Sequence, residues 1–163
     1  MKKIICIFLL IFSFTGCGKI KRRPGFKISR NFTFYEATCS RRGNFFHLNN
    51  YPNKKEYRNM IYTARRMEDI RKIIGKEIQI NSWYRNGNIN RLVGGSKHSA
   101  HRKGLAVDFT IKGRGALNSA LVKIKKSKYS FDQIYYHSRS NYIHISFRLN
   151  RRQERNKIYY RRK

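Results

Sequence analysis

The chain has 163 residues, 40% hydrophobic and 14% aromatic, a folding composition that excludes a disordered polyelectrolyte. Its 38 Lys and Arg against 8 Asp and Glu give a formal charge of +30, so the surface seeks polyanions such as nucleic acid, anionic lipid or acidic wall polymers. Three cysteines with no C-x-x-C pair exclude a disulfide framework and a cysteine zinc site.

Met1-Lys2-Lys3 followed by apolar Ile4 to Phe14 reads as an export signal, too short for a comfortable membrane span. Phe14-Thr15-Gly16-Cys17 resembles a bacterial lipobox, so residues 1–17 are read as a signal peptide with Cys17 as the lipidated first residue of an envelope protein. Residues 18–30 are a basic tether broken by Pro24-Gly25, and residues 151–163 a basic tail, either a last helix or a solvated end. Cys39 is read as a small buried residue.

Between them, 31–150 forms one domain. Thr33 caps a short turn of helix that includes Glu36. Arg41 to Asn53 is a loop. Lys54 to Ile74 is the longest helical pattern: Tyr57, Met60, Ile61, Ala64, Met67, Ile70 and Ile74 make an apolar stripe. Arg58, Arg65, Arg66, Asp69 and Lys72 fall on its polar side, and Gly75 closes it. Glu77 to Asn81 alternates as a strand, and a loop runs through Asn86 to Asn90. Leu105 to Ile111 alternates again, with Leu105, Val107 and Phe109 on one side and Ala106 and Asp108 on the other. Ala116 to Lys126 is a second helix, and Phe131 to Tyr136 and Tyr142 to Phe147 are strands joined by a loop from His137 to Asn141. The predicted fold class is α+β, an antiparallel sheet packed with helices.

The chemistry gathers in Ser99-Ala-His101-Arg-Lys-Gly104-Leu-Ala106-Val-Asp108. Imidazole and carboxylate are natural zinc ligands, and His101, Asp108 and the distant His144 would leave a fourth position open, as catalytic sites do. A fully extended chain rising ~3.3 Å per residue would hold His101 and Asp108 far apart. Gly104 must therefore bend the chain back. From pattern alone, His144 reads better as a satisfied core histidine than as a ligand.

Ser99-x-His101-x-x-Gly104-x-Ala106-x-Asp108 with an apolar-flanked His144 resembles the zinc D-alanyl-D-alanine carboxypeptidase family. Its fold is the hedgehog/DD-peptidase fold, and it includes vancomycin-resistance dipeptidases and many phage endolysins. Asn31 to Glu36, Asn50-Tyr-Pro52, Ser82-Trp-Tyr-Arg85, Asn90 to Ser96 and Phe131-Asp-Gln-Ile134 fit its small single-domain branch in order.

The resemblance implies Zn2+ held by His101, Asp108 and His144, with Arg85 binding substrate and opposing oxyanion charge, and Ser99 near substrate or merely bonding its own turn. It implies a hydrolase cutting peptidoglycan peptides at or near a D-amino acid. The family's base, commonly a Glu shortly before the last histidine, is missing here: Asn141 stands three residues before His144. His137 is the titratable candidate for that role, and Asp132, at a strand start, reads as structural. Without a base the chain would be a noncatalytic, zinc-containing wall-binding protein. Charge and interleaved Tyr and Arg suggest a nucleic-acid binder, but an exported chain rarely meets nucleic acid, so no specific nucleic-acid partner is expected. The expected partners are a wall peptide, acidic wall polymers or an anionic membrane surface, met by a monomer.

Overall fold

The computed structural model describes residues 19–161 apart from Pro24, Arg41, Arg42 and Phe45. The signal-peptide and lipobox readings of 1–17 lie outside the described residues. Among those that are described, no helix is long and apolar enough to cross a membrane.

Helix α1 (Phe34–Thr38) begins at the expected cap: Thr33 Oγ1 accepts from the Glu36 amide, and the Glu36 carboxylate accepts from the Thr33 amide at 2.8 Å. Helix α2 (Lys54–Ile74) is capped the same way by Asn53 and Glu56, and Gly75 ends it at φ +71°. Its predicted stripe is buried, from Met60 and Ala64 to Met67, Ile70 and Ile74. Arg66 departs from its predicted solvated face. It is buried and holds Glu154 at 3.0 Å, with Tyr62, Tyr129 and Ser130 also around its guanidinium.

Strand β1 (Gln79–Ser82) leads to helix α3 (Gly87–Leu92), where the sequence suggested a loop. The Asn86 side chain accepts from the Ile89 amide at 3.0 Å, so the Asn-rich run that looked like a turn is a helix start. A 3-10 turn (Ala100–Lys103) precedes β2 (Ala106–Thr110), then come α4 (Ala116–Lys126), β3 (Gln133–His137) and β4 (Tyr142–Ser146). A short 3-10 turn (Arg151–Gln153) and β5 (Lys157–Arg161) follow. Over its described part the basic tail is thus a 3-10 turn and an edge strand rather than a last α-helix, with most of its side chains exposed to solvent.

The fold is α+β, with one five-stranded sheet in the order β1-β2-β4-β3-β5. The first four strands pair antiparallel as expected, and β5 joins the edge parallel to β3. Alternation decides what each face carries. Val107, Phe109, Ile134, Ile143 and Ile145 face one way, into a single hydrophobic cluster with the stripes of α2 and α4. Asp108, His144 and Tyr135, paired in register across β2, β4 and β3, face the other.

Candidate metal centre

Two of the three predicted ligands are placed by strand register. Asp108 on β2 sits opposite His144 on β4, and both point away from the core. The third is delivered by the turn before β2. Ser99 Oγ accepts from the His101 amide at 3.3 Å, and Gly104 closes the turn at φ +72° with its amide on the His101 carbonyl. That left-handed residue is the bend required for His101 to fold back toward Asp108.

The turn is held from below by α2. The Asn59 amide donates to the Lys103 carbonyl at 2.8 Å, and the Thr63 hydroxyl to the Gly104 carbonyl at 2.9 Å. A Cβ on Gly104 would lie 2.8 Å from Met60 Cγ and 3.0 Å from the Glu56 carbonyl oxygen, so the turn is seated directly on the helix.

His101 Nε2, Asp108 Oδ1 and His144 Nδ1 converge. The carboxylate oxygen is 3.2 Å from His101 Nε2 and 2.7 Å from His144 Nδ1, and the two imidazole nitrogens are 3.1 Å apart. His101 Nδ1 lies 2.6 Å from the Trp83 carbonyl, which can only accept, so Nδ1 carries the proton and Nε2 presents a lone pair. Burial holds the His101 imidazole below its ordinary range, against the pull of Asp108. Burial would also raise the Asp108 carboxyl, but the imidazoles outweigh it and keep the group ionised. A bare nitrogen and a carboxylate oxygen aimed at the same point, with at most one proton from His144 between them, suit a cation. Two nitrogens and one hard oxygen are a donor set for zinc. The Trp83 carbonyl fixes the orientation of the His101 imidazole, as an outer hydrogen bond to a metal ligand would.

Arg85 follows β1, and its amide donates to the His101 carbonyl at 3.1 Å. Its Nη2 is 3.6 Å from Asp108 Oδ2, and its buried Nε has no hydrogen-bond partner among the described residues. Burial lowers its pKa and Asp108 opposes this, but a guanidinium stays charged near neutrality. Asn50, of the Asn50-Tyr-Pro52 segment, holds the backbone on both sides of Arg85. Its amide donates to the Tyr84 carbonyl at 2.7 Å and its oxygen accepts from the Asn86 amide at 2.8 Å, bracketing Arg85.

His137 is the last residue of β3 and not part of a loop. It pairs with Tyr142, and the rings stack at 4.2 Å. Alternation from Tyr135 puts it on the face that carries His144. Burial and the nearby Arg161 lower its pKa, so the imidazole is neutral near pH 7. Asn141 takes the left-handed turn of the β3–β4 hairpin at φ +50°. Asp132 is structural: it accepts from Arg148 Nε at 2.6 Å and from Arg155 Nη2 at 2.6 Å. Cys39 is half-buried and not fully so, while His47 and His98 are exposed. Tyr135, with its ring edge against His144 at 5.6 Å, escaped the sequence reading. Its signal was the two-residue spacing of Gln133, Tyr135 and His137.

No curated protein matches the chain. Residues 30–146 match the profile of the Peptidase M15 family, a span that takes in Arg85, the 3-10 turn and all three converging ligand atoms. The chain therefore belongs to the peptidase M15 family of metallopeptidases, which includes the zinc D-alanyl-D-alanine carboxypeptidases.

Proposed function

We propose that the chain is a zinc metallopeptidase that hydrolyses peptidoglycan peptides at or near a D-amino acid, acting as an exported monomer in the cell envelope. The carrying observation is the convergence of His101 Nε2, Asp108 Oδ1 and His144 Nδ1 beside a buried guanidinium whose Nε has no partner among the described residues. Zinc held by those three atoms would supply Lewis-acid polarisation of the scissile carbonyl and an acidified water.

The chain's own groups do the rest. Arg85, fixed by Asn50 and half-engaged by Asp108, has donors to spare for a peptide carboxylate or an oxyanion. His137 accepts the proton of the attacking water and returns it to the leaving amine. Its lowered pKa keeps it unprotonated at pH values where an ordinary imidazole has begun to charge. Ser99 orders the turn that carries His101, with substrate contact as its second part in this reading. A surface of +30 would hold the protein on acidic wall polymers or an anionic membrane.

Asn141, at the place where relatives in the dipeptidase branch carry Glu, favours a second reading as a noncatalytic wall-binding protein. One experiment separates the two. Zinc-loaded protein is incubated with purified peptidoglycan, and released amino groups are counted alongside bound metal. His101→Ala should lose both metal and activity. His137→Ala should keep the metal and lose about 100-fold or more in turnover. One zinc per chain with no release of amino groups rejects the peptidase, and full activity in His137→Ala rejects that residue as the base.

A further inference from the structure

Beyond the end of the family match, β5 extends the metal-bearing face of the sheet. Register puts Asp108, His144, Tyr135 and Tyr159 in one row across four strands, and Tyr142, His137 and Arg161 in the next. The Tyr135 ring meets His144 edge-on and stacks on Tyr159 at 4.7 Å and 16°. The Arg161 guanidinium lies 5.4 Å from the Tyr135 centroid, leaning from the sheet edge back toward the metal centre. Among the described residues it forms no ion pair with Asp or Glu.

This strand is firmly set. Arg66 and Glu154 form a buried ion pair, Arg155 grips Asp132, and the Asn156 side chain accepts from the Phe131 amide at 2.9 Å. The metal centre is thus flanked by two cations, Arg85 on the β1 side and Arg161 on the β5 side. A stacked aromatic pair that fixes a guanidinium in place prepares its planar fork for a carboxylate.

We propose that Arg161, held over the Tyr135 ring that stacks on Tyr159, is a specificity-determining residue that binds a carboxylate of the peptide substrate on the side of the metal opposite Arg85. This rests on the peptide-hydrolase reading above and adds a subsite to it. The carboxylate is either a side-branch acid or the chain terminus, and the test distinguishes them.

The probe is the stem pentapeptide L-alanyl-γ-D-glutamyl-L-lysyl-D-alanyl-D-alanine, in three forms: unmodified, amidated at the glutamyl carboxylate, and amidated at the C-terminus. Labelled at the N-terminus, each is titrated by fluorescence anisotropy into the full chain at physiological salt, and kcat/KM is measured in parallel. Wild type should bind the unmodified form about tenfold more tightly than one of the amidated forms. Arg161→Met should bring that ratio to within about twofold, Arg161→Lys should keep part of it, and Arg161→Glu should invert it. The amidation whose effect disappears names the carboxylate. No wild-type preference, a preference that survives in Arg161→Met, or an equal loss in the distant exposed Arg65→Met overturns the proposal, the last by exposing unspecific attraction to a basic surface. Failure to cleave any form would count against the peptidase reading alone, because the binding ratios decide the subsite independently.

Discussion

Gly104→Ala tests whether the fold and the metal centre meet at one residue. Alanine at φ +72° carries a left-handed strain of about 1–2 kcal/mol. Its Cβ would also lie 2.8 Å from Met60 Cγ and 3.0 Å from the Glu56 carbonyl oxygen. The methionine can swing aside, but the carbonyl belongs to α2, so the turn must lift, at about 1–3 kcal/mol for overpacking. Together these give about 2–5 kcal/mol, or about 6–15 °C in Tm at roughly 3 °C per kcal/mol for a domain of this size. Lifting the turn moves His101, so zinc affinity should fall by about tenfold or more. Gly94→Ala is the control, because it shares a left-handed φ of +69° and has nothing within 4 Å of the new Cβ, so it carries strain without a clash. Thermal melts and competitive zinc titration of both variants decide the matter. A Gly104→Ala protein that melts with Gly94→Ala and binds zinc as wild type does would refute the claim that α2 seats the His101 turn.

Glu154→Gln breaks a fully buried ion pair with Arg66 and should cost about 3–5 kcal/mol in urea denaturation, while Arg65→Gln on exposed helix surface should cost under about 0.5 kcal/mol. Asp132→Asn should cost about 1–2 kcal/mol near neutrality, because its arginine partners are partly exposed. Hydrogen bonds and charge from Arg155 and Arg148 depress the folded pKa of Asp132 despite its burial, so their stabilisation is complete above the unfolded value of about 4 and fades as pH drops through the folded one. The gap between wild type and Asp132→Asn should therefore close in acid, and a gap independent of pH would contradict that account. Removing metal with a chelator should lower Tm by roughly 12 °C relative to protein held at about 1,000 times the zinc Kd, from a linkage of about 4 kcal/mol. Asp108→Asn should abolish that difference.

The candidate metal centre was legible in part because some of its geometry follows from local rules. Alternation along Leu105 to Ile111 turned Asp108 away from the apolar residues, whereas His144 was favoured as a ligand only through the family resemblance and was placed by pairing of β4 with β2. Gly104 had to reverse the chain, and it does so at φ +72°. Orientation within the site was not legible in the same way. The Trp83 carbonyl that sets the His101 tautomer is a backbone group, and the Asn50 bracket on Arg85 spans the distance from one loop to another strand end. Neither leaves a periodicity to read.

The unforeseen strand in the tail and the unforeseen burial of Arg66 share one cause. Strand β5 exposes every residue but Ile158, so it shows no alternation and its composition is that of a solvated basic end. Its order comes from partners far off in the sequence: the β3 ladder, Asp132 for Arg155, and Arg66 for Glu154. The same return of the chain covers Arg66. A helical wheel puts Arg66 on the polar side of α2 because the wheel sees only α2; the segment around Glu154 turns that side into an interior. Having few acids sharpens the effect. In a chain with 8 Asp and Glu against 38 Lys and Arg, the carboxylates at Asp108, Asp132 and Glu154 each have two or more cationic or imidazole groups within reach or a buried guanidinium to themselves. Other acids cap helices, as Glu36 and Glu56 do, but these three mark places where the fold concentrates positive partners. Here those places are the metal centre and the two clamps that set β5 beside it.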